Sequence, residues 1–380
     1  MPYKDQQPSA DRRIHRVVKV AIVHDWLNQI GGAEGVLETL VDMFPQAPVF
    51  TTIYWRAGMP TSYHTWDVRP TWLDRAPFIY RHHQPYLPLY PLAVQSMDLR
   101  GYDLIISNKS GFCHGVRTTP QQVHIDYCLT PTRYVWDFES YAAREGLGRL
   151  GNMALRPLVR WLQAWDRRAA DGVDHFVAIS REVQARIARF YRRDSTVIYP
   201  PVNTDAYRPS AGPAGDYFLV VSRLIPYKRI DLAVQACNEL CLPLVVVGEG
   251  RHRATLEAMA GPTVRFTGRL PAAEVGELLA HCRALIFPGY EDFGIAPVEA
   301  QAAGRPVIAY AAGGALDTVV DGQTGLLFGE QTPESLAGAI RRLDAVAFDP
   351  ATIRRHAERF SVERFKQELR AFIESKWRAA

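Results

Sequence analysis

The chain has 380 residues, 47% of them hydrophobic, and a formal net charge of +4. At roughly 100–200 residues per domain that is too long for one comfortable core and predicts two or three. The mildly basic balance is compatible with a phosphate-bearing ligand or an anionic membrane surface and decides for neither. No run of 18 uninterrupted apolar residues occurs, and Met1–Arg16 has no apolar signal-peptide region, so the expectation is a chain without a spanning helix, touching a membrane peripherally if at all. The 5 cysteines, Cys113, Cys128, Cys237, Cys241 and Cys282, show no metal-ligand spacing. They read as reduced core residues of a cytosolic protein.

In chain order, the first ordered element is the β-branched run Val17–Val23. The Gly31-Gly32 turn follows, then a helical pattern from Ala33 to Met43. Strand, glycine loop and helix make the opening unit of a Rossmann-like half. Further strand-like runs are Val49–Ile53, Leu104–Ser107, Val123–Cys128, Phe176–Ile179 and Val197–Tyr199. Helical segments between several of them argue a mainly parallel sheet.

Pro200–Gly215 is rich in Pro and Gly and poor in apolar residues, as a linker is. A second series of strands then runs through Tyr217–Val221, Leu244–Val247, Val264–Thr267, Leu285–Phe287, Val307–Ala309 and Leu326–Phe328. The expected fold is α/β, with two doubly wound Rossmann-like domains facing across a cleft. The expected bounds are 17–204 for the first domain, 216–358 for the second, and 359–380 for a last helix. Ser361 is the expected cap of that helix, and Val362, Phe365, Leu369, Phe372 and Ile373 form its apolar stripe.

Ligands of open parallel sheets bind outside the carboxyl ends of the strands, so strand-end residues carry the chemistry. Glu291 and Glu299 flank Phe293 and Gly294, where a helix should start near Ile295. Its free N–H groups make an anion site. Glu299, one turn in, can accept hydrogen bonds from a ribose diol, and Glu291 from a sugar. Arg223 and Lys228 follow the first strand of the second domain, and both suit a diphosphate. In the first domain, His24 and Asp25 end strand one, and Gly31-Gly32 lets main-chain amides approach a phosphate. Gly-x-Gly-x-x-Gly is absent there, which counts against a dinucleotide-dependent oxidoreductase. Val247-Gly-Glu-Gly begins like that fingerprint but reads as a strand-end turn.

These motifs, with Tyr127–Asp137 and Ser361–Phe365, resemble the bacterial retaining glycosyltransferases of the two-Rossmann-domain family that includes mannosyltransferases of O-antigen and exopolysaccharide synthesis. The resemblance covers roughly residues 17–377. It implies Arg223 and Lys228 on the donor pyrophosphate and Glu299 on the ribose. Glu291, Phe293 and Gly294 would hold the sugar, Gly32 would lie near the phosphates, and Gly268, Arg269 and Leu270 would lie at the base. It also implies that 17–204 is the acceptor-binding domain and 216–358 the nucleotide-sugar-binding domain, with a last helix that crosses back to the first.

Where relatives carry His, this chain has Leu129, so that role passes to Asp25 or His124 or is dispensable. Glu291 and Asp25 are the expected catalytic residues. The expected reaction is hexosyl transfer, with GDP-mannose the first donor, onto a glycan or lipid-linked acceptor. No cofactor, no metal and no nucleic acid are expected. A nucleotide-sugar epimerase and a catalytically silent binding module are the rival readings. The expected location is cytoplasmic, with contact to the inner membrane face through the basic segment Arg144–Arg168, whose apolar residues interleave with arginines.

Overall fold

The computed structural model describes residues 18–138, 149–210 and 212–377. The strands form two sheets and pair in parallel throughout. The first contains β1 (Val20–His24), β2 (Val49–Thr51), β3 (Val68–Pro70), β4 (Leu104–Lys109), β5 (Val123–Cys128), β6 (His175–Ala178) and β7 (Ser195–Val197), in the order β3-β2-β1-β4-β5-β6-β7. The second contains β8 (Phe218–Val221), β9 (Leu244–Val247), β10 (Val264–Gly268), β11 (Ala284–Phe287), β12 (Val307–Tyr310) and β13 (Gly325–Phe328), in the order β10-β9-β8-β11-β12-β13. The two-sheet expectation holds. Strands β4, β5 and β9 are buried end to end, as helices on both faces of a parallel sheet require, and β9 accordingly reads as an unbroken apolar run. β3 escaped the sequence reading. It is an exposed three-residue edge strand ending in Pro70, and proline is tolerated in a sheet only where no ladder hydrogen bond is needed.

Each sheet reverses its strand order once, between β1 and β4 in the first and between β8 and β11 in the second. A crevice opens at the carboxyl ends at such a point. The two crevices face one another. A methyl group placed on Gly32, which opens the helix Gly32–Met43, would lie 2.9 Å from Cδ1 of Ile295, the first residue of helix Ile295–Ala302.

The last helix, Val362–Trp377, lies against the first domain. Ser361 accepts the N–H of Arg364 at 3.2 Å. Phe365 sets its ring 5.4 Å from that of Tyr127, and Lys366 pairs with Asp42. One apolar core therefore runs from Ile22 and Tyr127 through Phe365 and Phe360 to Phe293 and Leu285. The basic segment falls partly outside the described residues. Its described part belongs to helix Arg149–Ala170. Among the described residues no helix is long and apolar enough to cross a membrane.

Candidate functional site

The site begins where β8 ends. The turn Ser222–Leu224 lies flat on the turn after β9. Ser222 N–H donates to Val247 O at 3.0 Å, and Leu224 N–H to Glu249 O at 2.9 Å. A methyl group on Gly248 would stand 1.9 Å from the Ser222 carbonyl oxygen, and one on Gly250 2.1 Å from that of Leu224. The Val247-Gly-Glu-Gly turn is thus a bed for the Arg223 loop. Arg223 itself is exposed at the strand end. Lys228 reaches the other side of the crevice and pairs with Glu291.

Glu291 stands on the loop after β11. Its carbonyl oxygen accepts the Gly314 N–H at 2.8 Å. A methyl group on Gly313 would come within 2.3 Å of the same oxygen, and one on Gly314 within 2.1 Å of the Phe293 Cα. The pair Gly313-Gly314 passed unnoticed in the sequence, yet only residues without a side chain let β12's loop clamp the Glu291–Phe293 main chain. Gly294, at φ +95°, is the turn into helix Ile295–Ala302. A side chain there would be strained and would meet the Phe287 ring at 2.8 Å. Pro297 lies in the first turn of that helix, where no N–H is needed.

Glu299, one turn along, accepts the Tyr207 hydroxyl through Oε1 at 2.9 Å, which leaves Oε2 for a ligand. Burial raises its pKa, and the Tyr207 hydrogen bond works the other way. Phe293 packs its buried ring into an aromatic cluster with Tyr199 at 5.9 Å and Phe360 at 5.6 Å. Gly268 ends β10 at φ +76° and accepts the Gly248 N–H at 2.9 Å. Arg269 beyond it is exposed and Leu270 half-buried.

The first crevice is different. Asp25 is buried at its bottom, and its carboxylate accepts four main-chain N–H groups. Those of Ser110, Gly111 and Phe112 lie at 2.6 Å and that of Cys113 at 2.8 Å. Asp25, expected to be catalytic, thus has its oxygens already engaged in holding the loop after β4, an arrangement that suits a positioning role. His124, the other residue to which the role at position 129 was expected to pass, does not reach the cleft. It is fully buried at the amino-terminal end of β5, away from the cleft, with Nε2 2.8 Å from Ser107 Oγ. Burial pushes its pKa down to about 4. Leu129 is buried directly after β5, and its N–H donates to Lys109 O at 2.8 Å.

A cross-cleft network was missed. Asp292 receives Arg186 Nη1 at 2.7 Å and Arg133 Nε at 3.1 Å, both from the first domain. Arg186 Nη2 also donates to the Tyr290 hydroxyl at 2.9 Å. Burial opposes the charge on Arg133, but the directly bonded Asp292 outweighs it and raises the pKa. Lower in the cleft, Asp317 accepts the Arg181 N–H at 2.9 Å and the Tyr199 hydroxyl at 3.1 Å. Arg133 and Asp292 lay inside the quoted motifs, but pairing across 159 positions leaves no local signal.

Residues 207–345 match the family model described as glycosyl transferases group 1, and residues 30–206 match the one described as glycosyltransferase family 4. Together the two matches span residues 30–345, and the fold is the two-domain GT-B arrangement. Over 203 residues it is 34% identical to a GDP-mannose-dependent alpha-mannosyltransferase of Mycolicibacterium smegmatis, covering 50% of this chain and 52% of that one. It is 32% identical to a 2-deoxystreptamine glucosyltransferase of Streptomyces kanamyceticus over 223 residues, 52% of this chain and 56% of the other. The chain thus spans about half the length of the curated relatives it matches. Among solved structures it is similar to a sucrose-phosphate synthase from Thermosynechococcus elongatus, with TM-score 0.70 and 19% identity, covering 95% of this chain and 100% of that one. The chain shares that fold.

Proposed function

We propose that the protein is a retaining hexosyltransferase. It takes a sugar from a nucleoside diphosphate, mannose from GDP-mannose first, and passes it to a glycan or lipid-linked oligosaccharide in surface polysaccharide synthesis. The observation that carries this reading is the second crevice. There Lys228 pairs with Glu291 on the loop that leads into helix Ile295–Ala302, Arg223 stands exposed at the end of β8, and Gly32 lies opposite. The mannosyltransferase relative supports the choice of donor.

In this reading Arg223 and Lys228 bind the diphosphate, with Lys228 exchanging Glu291 for it. The open N–H groups of the helix add to their charge, which is why no metal is needed. Glu299 takes the ribose, and the turn Gly268-Arg269-Leu270 lies at the base. Glu291, released from Lys228, accepts hydroxyls of the sugar, while the main chain of Phe293 and Gly294 borders it. The bond from the sugar's anomeric carbon to phosphate breaks, the bond to the acceptor oxygen forms on the same face, and the acceptor's proton passes to the leaving phosphate oxygen.

The test is to incubate the protein with GDP-mannose and with uridine-diphosphate sugars, each with polyprenyl-diphosphate-linked oligosaccharide. Released nucleotide is measured together with the anomeric configuration of the product. Transfer from GDP-mannose with an α linkage is expected. An inverted linkage overturns the retaining reading, and donor consumed with no acceptor product points to the epimerase instead.

A further inference from the structure

Asp166 sits inside the first domain, on helix Arg149–Ala170, and is fully buried. Its Oδ2 accepts the indole N–H of Trp136 at 2.6 Å and the Tyr191 hydroxyl at 2.7 Å. Its Oδ1 lies 2.9 Å from the Thr132 hydroxyl and 3.6 Å from His114 Nε2. Lys109, also fully buried, donates to Thr130 O at 3.1 Å and stands 3.3 Å from Thr132 Oγ1. Burial opposes the charge of Lys109, and Asp166 is foremost among the groups that outweigh it. A carboxylate at such depth is costly, and packed apolar side chains in place of a buried charged group are often as stable. What the charge does better is hold several hydrogen-bond donors in one geometry.

The groups that Asp166 binds identify what is being held. Thr132 and Trp136 stand at the two ends of the turn Arg133–Trp136, which carries Arg133. Tyr191 closes helix Arg181–Tyr191, which carries Arg186. Arg133 and Arg186 are the two first-domain guanidiniums on Asp292, at 3.1 Å and 2.7 Å. One carboxylate therefore ties together the roots of both arms. Trp136 strengthens the tie by stacking at 4.7 Å on Phe190, the neighbour of Tyr191. Asp292 directly follows Glu291, so their loop is held twice. Its own domain holds it through Gly314 at the Glu291 carbonyl, and the other domain holds it at Asp292.

Two long side chains lose rotamer freedom when they close on one carboxylate, and they lose least when their roots are already set at the right spacing. We propose that Asp166 is a positioning residue for the transfer reaction. It fixes the spacing of Arg133 and Arg186, so that both meet Asp292 and keep the Glu291 loop docked across the cleft. The inference rests on the proposed function only in taking Glu291 as the residue that meets the sugar. Its signature is lost turnover with nucleotide binding retained, because Arg223 and Lys228 stand on the second domain and owe nothing to Asp166.

Asp166→Asn strips a buried charge from the surroundings of Lys109 and endangers the fold. The test therefore uses Tyr191→Phe and Trp136→Phe, which each remove one hydrogen-bond donor and keep an aromatic ring. Each is made in the full chain, alone and together with Asp292→Asn. Sugar transfer gives kcat and KM, and titration calorimetry gives nucleoside diphosphate affinity. Each single ring variant should lower kcat roughly fivefold, the equivalent of one hydrogen bond, with that affinity unchanged. In the Asp292→Asn background neither should lower kcat further, because the arginine pair has already lost its target. An equal loss in both backgrounds overturns the proposal, since Asp166 would then act by another route, and so does an unchanged kcat in the single variants. A second measurement needs neither sugar donor nor turnover. Fluorescence energy transfer is read between a label on Cys241, on the second domain, and one on a cysteine introduced by Ser62→Cys in the first. Both positions are exposed, and the other four cysteines are buried. Asp292→Asn should shift the transfer efficiency, each ring variant should shift it less, and the combined variants should match Asp292→Asn alone. Those shifts in a protein that transfers no sugar would uphold the role of Asp166 in docking the loop and fault the proposed function alone. Wild-type efficiency in every variant overturns the inference, whatever the protein transfers.

Discussion

The two sheets reverse strand order in the same way and open the same kind of crevice, yet one crevice is filled from within and the other is not. Between β1 and β4 the chain supplies its own anion. The Asp25 carboxylate takes the main-chain N–H groups of residues 110–113, the kind of donors that elsewhere receive a phosphate. Between β8 and β11 the chain supplies cations, with Arg223 exposed and Lys228 held by a single carboxylate. The topology provides two places for an anion, and the residues at the strand ends decide which is left for a ligand. It follows that damage to the first crevice should appear as lost stability, and damage to the second as lost binding.

The largest effect is expected at Asp25. Asp25→Asn keeps the shape but puts an amide N–H₂ among N–H donors and removes a buried charge that four of them satisfy. The loss should be roughly 3–5 kcal/mol of folding stability, read as the shift of a urea unfolding curve. If Asp25→Asn unfolds like wild type but abolishes turnover, the division between the crevices is broken and Asp25 returns to the catalytic role.

Arg223→Ala should do the reverse. The side chain is exposed and has no partner among the described residues, so stability should stay within about 0.5 kcal/mol of wild type. Affinity for the nucleoside diphosphate and for the whole donor should fall together by about 1.5–3 kcal/mol, because both carry the diphosphate. Titration calorimetry with each ligand measures this. Equal affinities in wild type and variant would remove the diphosphate from this crevice.

The same contrast explains what was legible in the sequence. Strands buried on both faces show as apolar runs, and the alternation of strand and helix gave the fold class. The second crevice was legible because its residues lie in short segments beside strand ends, Arg223 and Lys228 five apart and Glu291 and Glu299 eight apart. The first was less legible at Asp25. A carboxylate after β1 looks the same whether it faces a substrate or a loop 85 residues away, and only the fold brings that loop to it. The clamp of Gly313-Gly314 on Glu291 and the Arg133–Asp292 bond are contacts of the same long-range kind. β3 was illegible for another reason, since an edge strand of three residues ending in proline has neither the length nor the alternation that marks a strand.

The smallest effect sharpens the reading of the second crevice through pH. Burial raises the pKa of Glu299, and the Tyr207 hydroxyl, which donates to the carboxylate, opposes that rise. A carboxyl group whose folded pKa lies above its unfolded value contributes stability that is fully present below the unfolded pKa and is lost as pH rises through the folded one. The free protein therefore carries a small penalty at neutral pH for keeping Glu299 ionised. Tyr207→Phe should enlarge that penalty by about 1 kcal/mol, the worth of one hydrogen bond. Binding runs the other way, because only the carboxylate accepts both ribose hydroxyls. Nucleoside diphosphate affinity should drop as pH falls through the Glu299 pKa, and in Tyr207→Phe that drop should begin at higher pH. A ligand without ribose, such as inorganic pyrophosphate, meets Arg223 and Lys228 but not Glu299, so it should show no such displacement between the two proteins. A displaced curve for pyrophosphate as well would mean that Tyr207 acts on the crevice as a whole, and that Glu299 does not read the ribose.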